Sequence, residues 1–155
     1  MNALEIRPAK ETDLPAMQAL ARRTVDRRYR AFLGDENVDR YINDGTMDAE
    51  ILRNLSHCKV LVKEDTIVGF TIYFDNIIHL MMVDPDLHRQ GLGSILLEHA
   101  EEQLSNRGNT IIRLVTYEEN RQAMNFYRKH GWSITKKEKG KNTGAIRVFF
   151  EKSIK

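Results

Sequence analysis

The stretch DLHRQGLGSILLEH, residues 86–99, runs from a turn into an apolar helix through Gly91 and Gly93, two glycines one residue apart. Glycine inside a helix costs about 1 kcal/mol relative to alanine, so a pair in one first turn needs a reason. Close approach of a ligand to the backbone supplies one. The unpaired N–H groups of a helix N-terminus carry partial positive charge and suit an anion; a plain glycine-rich cap is the alternative. Nine residues before His88 stands His79, among Ile77, Ile78, Leu80 and Met81. Imidazole ordinarily titrates near pH 6.5 and so can relay a proton at neutrality, although a lone histidine in an apolar strand also reads as a satisfied core residue.

Spacing excludes two familiar phosphate loops. No G-x-x-x-x-G-K-[ST] string occurs, and Gly91-x-Gly93 is followed by Leu96 where a dinucleotide fingerprint needs a third glycine. Composition narrows the class further. The 155 residues suit one domain, with 41% hydrophobic and 30% charged residues and a net charge of +2. That charge is too small to argue for nucleic acid. The single cysteine, Cys58, excludes an internal disulfide and a cysteine zinc cluster, and reads as a small apolar residue at a strand edge. The start, MNALEIRP, lacks a signal pattern, and no apolar run approaches the roughly 20 residues that span a bilayer. A cytoplasmic protein is expected.

Periodicity places these residues on elements. Residues 3–7 alternate as a strand. Asp13 and Pro15 open an amphipathic helix through Leu14, Met17, Leu20, Ala21 and Val25. Short helices are expected near 37–44 and 47–56. From residue 59 the period becomes extended: 59–64, 66–74 and 77–83 form an antiparallel meander around turns at Asp65-Thr66 and Asp75-Asn76. Helix 91–107 follows, buried along Leu92, Leu96, Leu97, Ala100 and Leu104, and ends at Gly108. Strand 110–117, helix 120–130 closed by Gly131, and a hairpin of 132–138 with 145–152 complete an α/β domain. The glycine turn lies between a strand end and a helix, where an open sheet receives ligands.

At Val83, Pro85, Arg89, Gln90, Gly91, Leu92 and Gly93, with Ser94 next, the chain resembles the GNAT superfamily of acyl-CoA-dependent N-acetyltransferases, whose loop reads [RQ]-x-x-G-x-[GA] after a V-x-P strand end. His88 stands at the first pattern position, in place of Arg or Gln. A second box, NRQAMNFYRKHGW at 120–132, matches the family at Asn120, Ala123, Phe126, Tyr127, Gly131 and Trp132. The resemblance implies a mixed, mainly antiparallel central sheet flanked by helices, in a single N-acetyltransferase domain spanning residues 1–155. It implies acetyl-CoA as co-substrate and no metal. Its cofactor contacts fall on Met81, Met82, Val83, His88, Arg89, Gln90, Gly91, Leu92, Gly93, Ser94, Asn120 and Tyr127, with backbone N–H groups of the turn cradling the pyrophosphate.

Amide formation from a thioester needs a neutral amine, a stabilised carbonyl oxygen and a proton for the leaving thiolate. By resemblance Tyr127 is the acid; a phenol at pKa about 10 lies just above a thiol at about 8.5. Packing of its ring under the pantetheine arm is the alternative. The carbonyl acceptor site falls near the backbone of Met81, and Asn120 contacts the cofactor arm. His79 corresponds to a histidine that arylalkylamine N-acetyltransferases use to relay the amine proton, with Glu118, Tyr117, Tyr73 or solvent as alternatives. The acceptor is expected to be a small-molecule primary amine. Asp35, Glu36, Asp39, Asp44, Asp48 and Glu50 suggest an acidic wall for a cationic amine such as a polyamine or aminosugar, or simply two solvated helix faces. Arg27, Tyr29 and Arg30 suggest a carboxylate-bearing acceptor such as an amino acid. A protein lysine or N-terminal acetyltransferase, and a non-catalytic acyl-CoA-binding regulatory module, are the competing readings. Neither nucleic acid nor membrane is expected as partner, and a homodimer stays open.

Overall fold

Strong alternation from residue 58 onward builds the centre of the molecule. In the computed structural model, which describes residues 4–87, 90–141 and 144–154, three strands form the expected meander: β2 (Cys58–Lys63), β3 (Thr66–Phe74) and β4 (Ile77–Val83). The first strand, β1 (Leu4–Pro8), pairs antiparallel with β2. After the meander come β5 (Ile111–Tyr117), β6 (Ser133–Lys139) and β7 (Ile146–Ser153). Sheet order is β1-β2-β3-β4-β5-β7-β6, antiparallel throughout except between β4 and β5. The last hairpin folds back so that β7, not β6, adds to β5.

Helices cover both faces. On one side lie α1 (Leu14–Arg28), the single turn α2 (Arg30–Leu33), α3 (Asp35–Asn43) and α4 (Thr46–Arg53). Met17, Leu20, Val25, Val38, Met47 and Ile51 pack there against Val60, Phe70, Ile72 and Met82. On the other side, α5 (Leu92–Asn106) and α6 (Arg121–Lys129) bury Leu97, Ala100, Leu104, Met124 and Tyr127 against Ile78, Ile112, Leu114, Val148 and Phe150. Cys58 opens β2 fully buried, and burial pushes its thiol up to about 12. It is inert there.

Three departures from the sequence reading have local causes. The β2–β3 turn is Glu64-Asp65, both at positive φ (50° and 64°), rather than Asp65-Thr66. That is the double left-handed geometry a tight hairpin requires, and glutamate gives no hint of it. The helix near 37–44 starts at Asp35, directly after Gly34. Above all, β4 carries a bulge: Ile72 faces Leu80 while Tyr73 faces Ile78, which leaves His79 without a ladder partner.

Between β4 and β5 the ladder holds only at Ile77↔Arg113, beside a 2.9 Å bond from the Arg113 N–H to the Asn76 carbonyl. Beyond that point the two strands diverge, and a cleft opens in the middle of the sheet.

Candidate active site

Gly91 is the N-cap of α5 at φ 73°, a left-handed conformation natural to glycine, and among the described residues nothing lies within 4 Å of where a side chain would begin. The turn is thus open toward the cleft. A glycine that spacing did not single out, Gly69 on β3, lets α5 settle onto the sheet. A Cβ there would stand 2.9 Å from the Met82 carbonyl oxygen and 3.0 Å from Leu96 Cδ1.

The cleft is a cavity of about 700 Å³. Met81, Met82, Val83, Gln90, Gly91, Leu92, Gly93, Ser94, Asn120 and Tyr127 all line it, so ten of the expected cofactor contacts meet in one place. His88 and Arg89 lie outside the described residues. Thr24, Arg28, Tyr29, Gln122, Lys129 and His130 complete much of the wall. Of these, His130 went unnoticed in the sequence. Its Nε2 lies 2.9 Å from Ser94 Oγ and its Nδ1 2.8 Å from the Phe126 carbonyl, which ties the start of α5 to the end of α6. The Asn120 side-chain oxygen accepts from the Ala123 N–H at 3.3 Å, so it caps α6 from within the cavity wall.

Tyr127 sits deep in this wall, its ring 5.3 Å from Phe126, 5.8 Å from Phe150 and 6.0 Å from Trp132. Burial, with a smaller contribution from Tyr29, holds its phenol well above the ordinary tyrosine range. It therefore stays protonated at neutral pH.

His79 does not line the cavity. The bulge turns it toward the α4 side, where Nε2 lies 2.8 Å from Glu50 Oε1 and the ring 5.5 Å from Phe74. Glu50 reaches it because it shares the inner face of α4 with the buried Met47 and Ile51. Its other oxygen accepts from the Tyr41 hydroxyl at 2.8 Å. The bond to His79, then that from Tyr41, keeps the carboxyl below the usual range despite burial. An aromatic group extends from the cavity wall. Tyr29 lines the cavity, its ring 5.2 Å from Phe32 and 6.3 Å from Tyr117, while Phe32 and Tyr117 stand 5.3 Å apart. Burial pushes the Tyr29 phenol up to about 12. Burial also raises the Tyr117 phenol, opposed by the charge of Arg147 and reinforced by that of Glu50.

The other candidates are engaged elsewhere. Tyr73 is buried beneath α5, its hydroxyl 3.0 Å from His99 Nε2. Glu118 pairs with Lys137 at the surface. The acidic stretch does not form a bare wall: Asp35 and Asp39 pair with Arg30, Glu36 with Arg40 and Asp48 with Arg22. Asp44 accepts from the Thr46 N–H. Arg30 also holds Asp26, and Arg27 holds Asp86, so both arginines proposed for a carboxylate are occupied. Among the described residues no three His, Cys, Asp or Glu side chains gather as a metal site, and no helix is long and apolar enough to cross a membrane.

This geometry agrees with what the chain is similar to. A peptidyl-lysine N-acetyltransferase, YjaB, of Salmonella typhimurium is 25% identical over 135 residues, covering 85% of each chain. The ribosomal protein bS18-alanine N-acetyltransferase of the same organism is 27% identical over 135 residues, covering 86% of this chain and 82% of the relative. In fold, the PaiA N-acetyltransferase of Thermoplasma acidophilum, solved in complex with coenzyme A, superposes with a TM-score of 0.82 at 20% identity, covering 98% of this chain and 99% of the other. The model of the acetyltransferase (GNAT) family matches residues 18–132. The chain belongs to that family and is an acetyl-CoA-dependent N-acetyltransferase.

Proposed function

We propose that the chain moves the acetyl group of acetyl-CoA directly to the primary amine of a small molecule, with the pyrophosphate on the 90–94 turn, Tyr127 as acid and His79 as base. The observation that carries this reading is the continuity of the site. The glycine turn and Tyr127 share one cavity whose wall includes Tyr29; Tyr29 packs with Phe32 and Tyr117, and the Tyr117 phenol feels the charge of Glu50, the partner of His79.

Each proton has a place. An amine enters as an ammonium, since its pKa is about 10.4; His79 takes one proton, through water, and passes it to solvent. The neutral amine attacks the thioester carbon, forming the C–N bond and placing charge on oxygen. A backbone N–H near Met81 meets that charge, a role supported by the divergence of β4 from β5. Collapse breaks the C–S bond, and Tyr127 protonates the thiolate. The remaining excess proton on nitrogen returns to the phenolate through solvent. Ammonium and thioester thus give amide, thiol and one released proton.

Three aromatic rings favour an amine carried on a slender methylene arm. Because Arg27 and Arg30 are held by aspartates, an acceptor without a carboxylate near its amine is favoured. A peptide amine is the second reading, favoured by the activities named for the two Salmonella relatives. Thiol release on spermidine, glucosamine, lysine, a lysine-containing peptide and an alanine-initiated peptide separates them. Spermidine should exceed both peptides at least tenfold in kcat/KM; the reverse order assigns the protein reading.

A further inference from the structure

We infer that Glu50 is the positioning residue for His79, fixing its imidazole with the proton on Nε2 and leaving Nδ1 as the nitrogen that takes the amine's proton. This rests on the reading of His79 as base. The argument is one of donor and acceptor identity. An ionised carboxylate only accepts hydrogen bonds, and Glu50 Oε1 lies 2.8 Å from His79 Nε2. In the neutral ring Nε2 must therefore donate, and the lone pair needed for catalysis resides on Nδ1. Glu50 itself is fixed from the far side, since Tyr41 donates to Oε2 at 2.8 Å. Nothing in the backbone ladder would otherwise hold His79, because it is the extra residue of the β4 bulge. A side chain on an unpaired bulge needs an external support, and α4 supplies it. Groups that face the pair are Tyr41 from α3, Arg53 from α4, Tyr117 from β5, and the Phe74 ring from β3.

The arrangement also explains why Glu50 alone among the acidic residues 35–50 points into the molecule. Asp35, Glu36, Asp39 and Asp48 are paired with arginines of the same helical layer, whereas Glu50 crosses to the sheet. Protonated His79 gains a full ion pair with Glu50 at the moment it holds the amine's proton. The carboxylate thus stabilises the imidazolium formed in the step.

Glu50→Gln keeps the shape but can present either an amide oxygen or an N–H to Nε2, so it no longer enforces one tautomer. Nitrogen-15 spectra of the His79 imidazole in the unliganded protein read this without any substrate. The wild type should show the Nε2–H form, and Glu50→Gln a mixture. Kinetics with the most active amine of the panel above complete the test. Glu50→Gln should lower kcat/KM by up to roughly 10²-fold, the scale of a mispositioned catalytic group, with the acetyl-CoA KM unchanged. The double variant Glu50→Gln/His79→Gln should be no slower than His79→Gln alone. Losses that multiply would mean that Glu50 acts separately, for instance on the ammonium, and would overturn the proposal. So would an Nδ1–H tautomer in the wild type. Wild-type rates in His79→Gln, together with the Nε2–H tautomer in the wild-type spectrum, would instead remove the base reading on which the proposal rests.

Discussion

Gly93 of α5 lies directly against the ring of Phe126 on α6: a methyl group there would come within 3.3 Å of Phe126 Cζ and 3.4 Å of Cε1. The ring has little room to retreat, because the His130 ring stands 4.4 Å away and Tyr127 5.3 Å away. Two opposing effects meet at Gly93→Ala. Alanine should gain up to about 1 kcal/mol in helix propensity, while the crowded ring should displace α6 from the turn. Crowding should win at the site: coenzyme A affinity falls by roughly fivefold or more, equivalent to about 1 kcal/mol, and the melting temperature does not rise. Melting curves with and without coenzyme A read both. A higher Tm with unchanged affinity would show that the ring yields freely.

Gly91 tests the proposed phosphate turn through charge and not packing. Its φ of 73° penalises a residue with a side chain, by about 1–2 kcal/mol for the left-handed region, yet no described residue stands within 4 Å in its side-chain direction. Gly91→Ala should therefore lose about that much stability and bind coenzyme A more weakly. Gly91→Glu should fold as well as the alanine variant but lose coenzyme A binding, since a carboxylate would face the phosphate. Calorimetry on the two variants separates backbone strain from charge. Equal affinity in both would remove the phosphate from this turn.

A pH-dependent contribution to stability is built at the start of α1. Asp13 accepts from both terminal nitrogens of Arg7 at 2.7 and 3.0 Å, and from the Lys10 N–H at 2.7 Å. The Arg7 bond above all, then the Lys10 N–H, depresses its carboxyl against the opposing effect of burial. A depressed folded-state pKa means stability that is complete above the unfolded value, ordinarily about 3.9 for aspartate. It fades as pH falls from there through the folded value. Asp13→Ala should accordingly cost about 1–3 kcal/mol at pH 7, the range for lost hydrogen bonds to a charged group. The gap from wild type should shrink below pH 4. Urea melts at pH 7 and pH 3 check this; an equal gap at both would show that the ionic bonds contribute nothing.

What was legible in the sequence was local. The period-2 runs after residue 58, the apolar stripe from Leu92 to Leu104 and the two glycine-marked helix ends are set by neighbours a few residues apart, and each element formed within a residue or two of its expected bounds. The turn and the 120–132 box could be read for the same reason. The bulge at His79 could not, because it arises from how β3 and β4 register across a hairpin. The Glu50–His79 contact spans 29 residues and needs α4 folded over the sheet. Counting charges in 35–50 left both an acidic wall and two solvated helix faces open. Arginines on α1, α2 and α3 neutralise most of the charge in ways that composition does not reveal.

Tyr127→Phe tests the proposed acid. Phenylalanine preserves the packing against Phe126, Trp132 and Phe150 and removes only the hydroxyl. Coenzyme A affinity should then change by no more than one hydrogen bond, about 1 kcal/mol. If the phenol gives its proton to the departing thiolate, turnover should fall by roughly 10²-fold or more, the scale of general-acid catalysis. The buried phenol is held protonated, so the donor is loaded across the neutral range and the loss should not depend on pH there. An acetyl donor with a more acidic leaving thiol needs the proton less and should lose less. Rates must be taken where chemistry limits, with the most active amine of the panel. Wild-type kcat in the variant would refute the role, and equal losses with both donors would reassign Tyr127 to holding the cofactor in place.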